Sequence, residues 1–181
     1  GYVASWLTDE PVRQTETTER TEKKTKSENT TASSNGDLGG YTIVLDPGHG
    51  GHDPGAIGLG GIYEKDLVTS TSNTVAHHLR QAGANVIETR TGDYFIPLEQ
   101  RAQISNSHGA DAFISLHYDA YPVLSMQGMA AFYYGDSGYQ LASSLQQSLG
   151  ASTSLHNRGV LFGDYRVLRQ TSAPAALLEL G

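Results

Sequence analysis

From Tyr41 onward the apolar residues fall into two alternating rhythms. Tyr41–Leu45 (YTIVL) is a short apolar run that stops at Asp46-Pro47-Gly48, the pattern of a buried strand closed by a turn. Between about Glu64 and Gln81 the positions Leu67, Val68, Thr71, Val75, His78, Leu79 and Ala82 recur at helical spacing, and Gly83 ends the run. Asn85–Thr89 (NVIET) predicts a second strand. Pro97–Ser107, with Leu98, Ala102, Ile104 and Ser105 on one side, predicts a second helix. Ala112–Leu116 (AFISL) and Met129–Tyr134 read as strands, Tyr139–Leu149 as a helix, and Ala175–Leu180 as a last strand. Strands separated by helices imply an α/β fold with a mostly parallel sheet and helices on both faces. Sites in such sheets gather at the carboxyl ends of the strands.

Upstream the pattern changes. Residues 8–40 hold only Val12, Ala32 and Leu38 as apolar side chains among Thr, Ser, Asn and mixed charges. Such a stretch buries too little surface to offset the entropy of ordering it, so a disordered polar linker is expected there. Gly1–Leu7 (GYVASWL) is aromatic and β-branched, like the end of a strand. Three segments are therefore expected: 1–7 as the end of a preceding domain, 8–40 as linker, 41–181 as the folded domain. The chain opens without Met or a basic n-region, so its natural beginning is expected further upstream.

Composition removes several classes. There is no cysteine, so disulfides and thiolate metal sites are excluded and a metal would sit on His and carboxylate. The net charge of −7 lacks the basic footprint of a nucleic-acid binder. No apolar run approaches the ~20 residues that span a membrane. A monomer is expected.

The chemistry lies just past the strands. YTIVL runs into Asp46-Pro47-Gly48-His49-Gly50-Gly51, AFISL runs into His117-Tyr118-Asp119, and Glu179 ends the last strand. Glu64 opens the first helix. Two imidazoles and a carboxylate with an open position for water form one catalytic zinc shell. A further carboxylate can take the water's proton and pass it to a leaving nitrogen. His49, Glu64 and His117 meet the first need and Glu179 the second. Each also has a plainer reading: a strand-end His is often a hydrogen-bonded structural residue, Glu64 suits a helix N-terminus, and Glu179 could be a paired carboxylate. The spacing does not decide, since no HExxH is present. His52 is expected near the cleft, His77 and His78 on the first helix's surface, His108 as a helix-end residue, and His156 in a loop. Arg90 and Arg101 are expected to hold loops through carboxylates.

The segments LDPGHGGHDPGA, EKDL, TRTGDYFIPLEQRAQISN, ADAFISLHYDA, NRGV and VLRQTSAPAALLELG resemble, in order and spacing, the zinc-dependent N-acetylmuramoyl-L-alanine amidases of the type-3 amidase family. The resemblance spans Tyr41–Gly181. It implies Zn²⁺ on His49, Glu64 and His117, with Glu179 as the catalytic carboxylate. It implies cleavage of the amide between muramic acid and L-alanine in peptidoglycan, by an extracellular, cell-wall-associated bacterial enzyme. A non-catalytic wall-binding protein and a zinc peptidase acting within the stem peptide are the alternatives. Family members continue past Glu-Leu-Gly into a terminal helix, so the C-terminal helix is expected to be truncated. Gly1–Leu7 is similar to the closing strand of bacterial SH3-like wall-binding domains.

Overall fold

The structure, a computed structural model, describes residues 38–119 and 128–181. The expected strand end at Gly1–Leu7 and the expected linker as far as residue 37 lie outside the described residues. The elements run β1 (Thr42–Pro47), α1 (Glu64–Gln81), β2 (Asn85–Glu88), α2 (Leu98–Ser107), β3 (Ala112–His117), β4 (Met129–Tyr133), α3 (Asp136–Ser152), β5 (Asn157–Phe162), α4 (Arg166–Arg169) and β6 (Ala175–Glu179). A single 3-10 turn, Leu59–Gly61, precedes α1.

The six strands form one sheet in the order β2-β1-β3-β6-β4-β5. The first four are mutually parallel. β4 runs antiparallel to β6, and β5 is parallel to β4. Along β1, β3 and β6 both faces are buried, which explains their unbroken apolar runs. Ile43, Leu45, Ile114, Leu116, Ala176 and Leu178 face Val75, Ala76 and Leu79 of α1 and Leu141, Ala142 and Leu145 of α3. The alternate positions Val44, Phe113, Ala175 and Leu177 face Val167 and Leu168 of α4, and α2 packs beside α4. Helices therefore cover both faces of a mostly parallel sheet. Among the described residues no helix is long and apolar enough to cross a membrane.

Three details differ from the sequence reading. The face that α1 buries is Glu64, Val68, Ser72 and Ala76, while Leu67 is exposed. Polar residues turn inward because they have partners there: Ser72 donates to Glu88 Oε1 at 3.0 Å. β5 and α4 were not anticipated. β5 is an edge strand with Gly159 at its middle (φ 89°), which breaks the alternation a strand normally shows; α4 is a single turn. Leu38 also donates its N–H to Ala82 O and packs on the core, so ordered chain reaches back past Tyr41.

Candidate metal centre

The reversed β4–β5 pair decides which residues share a rim. His117 at the carboxyl end of β3 lies opposite Glu179 at the carboxyl end of β6, and Glu179 lies opposite Ala130 near the start of β4. The carboxyl ends of β1, β3 and β6 and the amino ends of β4 and β5 thus meet along one edge.

On this edge His49, Glu64 and His117 come together. Glu64 Oε1 lies 3.1 Å from His49 Nε2 and 3.0 Å from His117 Nδ1, and the two imidazole nitrogens are 3.2 Å apart. Three potential ligand atoms therefore sit within reach of a single ion, and these residues form a candidate metal cluster. Glycines make the approach possible. A Cβ on Gly48 would lie 2.3 Å from His117 Cε1, and one on Gly55 would lie 2.5 Å from Glu64 Oε2. His49 itself adopts φ 60°, a left-handed conformation that costs a non-glycine residue on the order of 1 kcal/mol.

Two members of the trio, His49 and Glu64, are oriented from behind. His49 Nδ1 donates to Asp53 Oδ2 at 2.9 Å, which leaves the Nε2 lone pair facing the centre. Asp53 Oδ1 in turn accepts the Gly55 N–H. Glu64 Oε2 accepts the Ala56 N–H at 2.7 Å, and Oε1 accepts the Tyr118 N–H at 3.0 Å. Burial works to raise the Glu64 pKa, but hydrogen bonds and charge from His117 and His49 outweigh it and hold the carboxyl well below its usual range. For His49 burial works downward, and the Glu64 and Asp53 carboxylates raise its pKa on balance. Two imidazoles converging on one ionised carboxylate make a site that attracts a cation.

Glu179 is of another kind. It is 7% exposed and its Oε2 has no hydrogen-bond partner. Burial pushes its pKa up to about 9, Asp119 and Glu64 add to the rise, and Arg158 opposes it. Arg158, from β5, pairs with Asp119 Oδ2 at 2.9 Å.

The sequence-derived site residues are thus all on one rim, three in contact and Glu179 beside them. The other histidines stay away from the trio. His52 is exposed and packs on Phe95, with ring centroids 4.4 Å apart. His77 and His78 are exposed on α1, His108 Nδ1 meets Ile104 O at the end of α2, and His156 precedes β5. Arg101 meets a carboxylate as expected, Asp46 Oδ1 at 2.8 Å. Arg90 does not: its hydrogen bonds run to main-chain carbonyls and the Thr69 hydroxyl. Sequence reasoning missed Asp53, Asp119 and Arg158. The i,i+4 spacing of His49 and Asp53 gave no signal because the residues lie in a glycine-rich turn, not on a helix.

Fold and site together describe an α/β protein with a His-Glu-His cluster on the carboxyl rim of its sheet. The sequence model of N-acetylmuramoyl-L-alanine amidases matches residues 43–181, and the chain belongs to that family. It is 44% identical over 181 residues to the putative N-acetylmuramoyl-L-alanine amidase YrvJ of Bacillus subtilis (strain 168), covering 99% of this chain and 34% of the relative. It is 41% identical over 146 residues to the probable cell wall amidase LytH of Staphylococcus aureus, covering 80% of this chain and 48% of the relative. The chain thus spans about a third of the first and about half of the second. Among solved structures, the amidase AmiC2 of Nostoc punctiforme superposes with a TM-score of 0.73 at 38% identity, covering 77% of this chain and 78% of that one. The catalytic domain of the amidase CwlV from Bacillus (Paenibacillus) polymyxa var. colistinus gives 0.74 at 30% identity, covering 77% and 79%.

Proposed function

We propose that this chain is a zinc-dependent N-acetylmuramoyl-L-alanine amidase acting on cell-wall peptidoglycan outside the cytoplasm, with His49 Nε2, Glu64 Oε1 and His117 Nδ1 as metal ligands and Glu179 as the proton-transferring group. The observation that carries the metal assignment is the size of the triangle. Its edges of 3.0–3.2 Å approach the roughly 3.3 Å edge of a tetrahedron whose bonds are ~2.0–2.1 Å long. Two nitrogens and one oxygen also match zinc's preference among ligands in a chain without cysteine. When bound, zinc supplies Lewis acidity, polarising the amide carbonyl and making water nucleophilic near neutral pH.

The protein's own residues supply the rest. Asp53 holds His49, and the Ala56 and Tyr118 amides hold Glu64, in orientation. Glu179, with Oε2 unpartnered at the same rim, removes a proton from the attacking water. The same carboxyl then returns that proton to the departing alanine nitrogen, because an amide anion is too basic to leave unprotonated. Its raised pKa suits the second step, and dicationic charge beside it favours the ionised form needed for the first.

Digestion of purified peptidoglycan, with mass spectrometry of the products, tests this reading. New L-alanine amino termini are expected. New termini inside the stem peptide would assign a peptidase instead, and binding without any new terminus would assign a wall-binding protein.

A further inference from the structure

Beneath the His49 turn lie two guanidinium groups that the proposed reaction does not use. Arg90 and Arg101 are 1% and 2% exposed. Arg101 donates to Pro47 O at 2.8 Å and to His49 O at 2.7 Å. Arg90 donates to Pro47 O at 3.0 Å and to Gly48 O at 2.6 Å. Three consecutive carbonyls, those of Pro47, Gly48 and His49, are therefore gripped from below by two side chains from different elements, the residue two past β2 and the body of α2. The grip is itself braced. Asp46 Oδ1 takes Arg101 Nη1 and the Thr89 hydroxyl, and Asp46 Oδ2 takes the Ser115 hydroxyl. Arg90 Nη1 reaches Thr69 Oγ1 at 2.7 Å and Nη2 reaches Lys65 O at 3.2 Å, both on α1, the helix that Glu64 opens.

Burying two cations against one carboxylate is costly for folding alone. Neutral side chains could fill the same volume, so the arrangement calls for a role that packing does not supply. The carbonyls explain it. His49 is the one non-glycine residue among those described with a positive φ, and its ring must nonetheless point at Glu64 and His117. A guanidinium is a rigid fork that can serve several acceptors at once, which an ammonium cannot do in the same geometry. We propose that Arg90 and Arg101 are positioning residues for the metal centre: by fixing the Pro47–His49 carbonyls they hold His49 in the left-handed conformation that aims Nε2 at the ion, and Arg90 ties that turn to the helix carrying Glu64. The proposal rests on the metal reading above.

The test measures zinc affinity of the folded chain by competition with a chromophoric chelator, alongside thermal unfolding of the metal-free protein. Arg101→Lys and Arg90→Lys should each weaken zinc binding by about 10–100-fold, the size seen when groups that orient metal ligands are lost. Ile43→Ala, a core change at the start of β1 on the face opposite Asp46, is the control: it should lower the unfolding temperature and leave zinc affinity within about twofold. Arginine variants that fold and bind zinc as tightly as the parent would overturn the proposal. So would a control that loses as much affinity as they do. If the lysine variants fail to fold, Thr69→Val, which removes one Arg90 acceptor and no charge, should still weaken zinc binding several-fold; an unchanged affinity there would overturn it. His49→Ala separates the two layers. If it binds zinc as well as the parent, the metal assignment falls and this proposal with it; if it loses zinc while the arginine variants do not, only the clamp is wrong.

Discussion

Glu64 and Glu179 stand on the same rim, are almost equally buried at 5% and 7% exposed, and have opposite proton affinities. Glu64 is held well below the usual carboxylate range and Glu179 is pushed up to about 9. Depth of burial does not separate them; partners do. Glu64 accepts two main-chain amides and faces two imidazoles. Glu179 has an oxygen with no partner and faces the negative charges of Asp119 and Glu64. On the reading proposed above, the first stays ionised to hold a cation and the second gains and loses a proton. A pair of carboxyl groups driven apart in this way marks a division of labour between binding and proton transfer.

The sharpest way to break the comparison is Glu179→Gln. It keeps the shape and removes the exchangeable proton. Release of L-alanine amino termini should fall ~10²–10⁴-fold while zinc content stays at the parent level. Loss of zinc along with activity would put Glu179 among the ligands and erase the distinction. The matching change on the other side leaves the trio in place and removes its support. Asp53→Ala frees His49 Nδ1, and zinc affinity should drop ~10–100-fold. An unchanged chelator competition curve would mean that His49 needs no orienting carboxylate.

The smallest effect is one of pH. In the metal-free protein Glu179 binds its proton more tightly when folded (about 9) than in the unfolded chain (near 4.5). Its contribution to stability is therefore fully present below about pH 4.5 and is lost as pH climbs through 9. Glu64 and Asp46 do the reverse. Their folded pKa values are lowered, so their contribution is present above the ordinary carboxylate range and fades in acid. Metal-free protein should thus lose unfolding temperature toward alkaline pH, by at least about 3 °C. Glu179→Gln should flatten that limb and leave the acid limb untouched. A parent whose unfolding temperature is level from neutral pH to 9 would contradict the raised proton affinity of Glu179.

Much of this arrangement was legible in the sequence, and the limits are physical. Strands such as YTIVL and AFISL announce themselves because both faces are covered. β5 did not, because an edge strand with a central glycine keeps no alternation. Places after strands and at a helix start left plainer readings of His49, Glu64, His117 and Glu179 open, and it was the resemblance that singled the four out; their meeting on one rim agrees with it. Asp53, Arg90 and Arg101 could not be given their partners. Hydrogen bonds from Arg90 and Arg101 to main-chain carbonyls 42 to 54 positions away leave no periodicity, and an arginine in α2 gives no sign in sequence that it will turn inward, as Arg101 does, while Leu98 on the same helix stays exposed.

The place of β6 in the sheet bears on the order of assembly. β6 follows the other five described strands, yet it lies between β3 and β4. Until it arrives, β2-β1-β3 and β4-β5 are two separate ribbons with open edges, and pairing over such sequence separations is slow. The proposed metal ligands His49, Glu64 and His117 all precede β4 and so belong with the first ribbon. The strand that closes the sheet carries Glu179 at its end. On the reading proposed above, the proton-transferring carboxyl thus joins the ligand side chains only in the step in which β6 bridges the two ribbons.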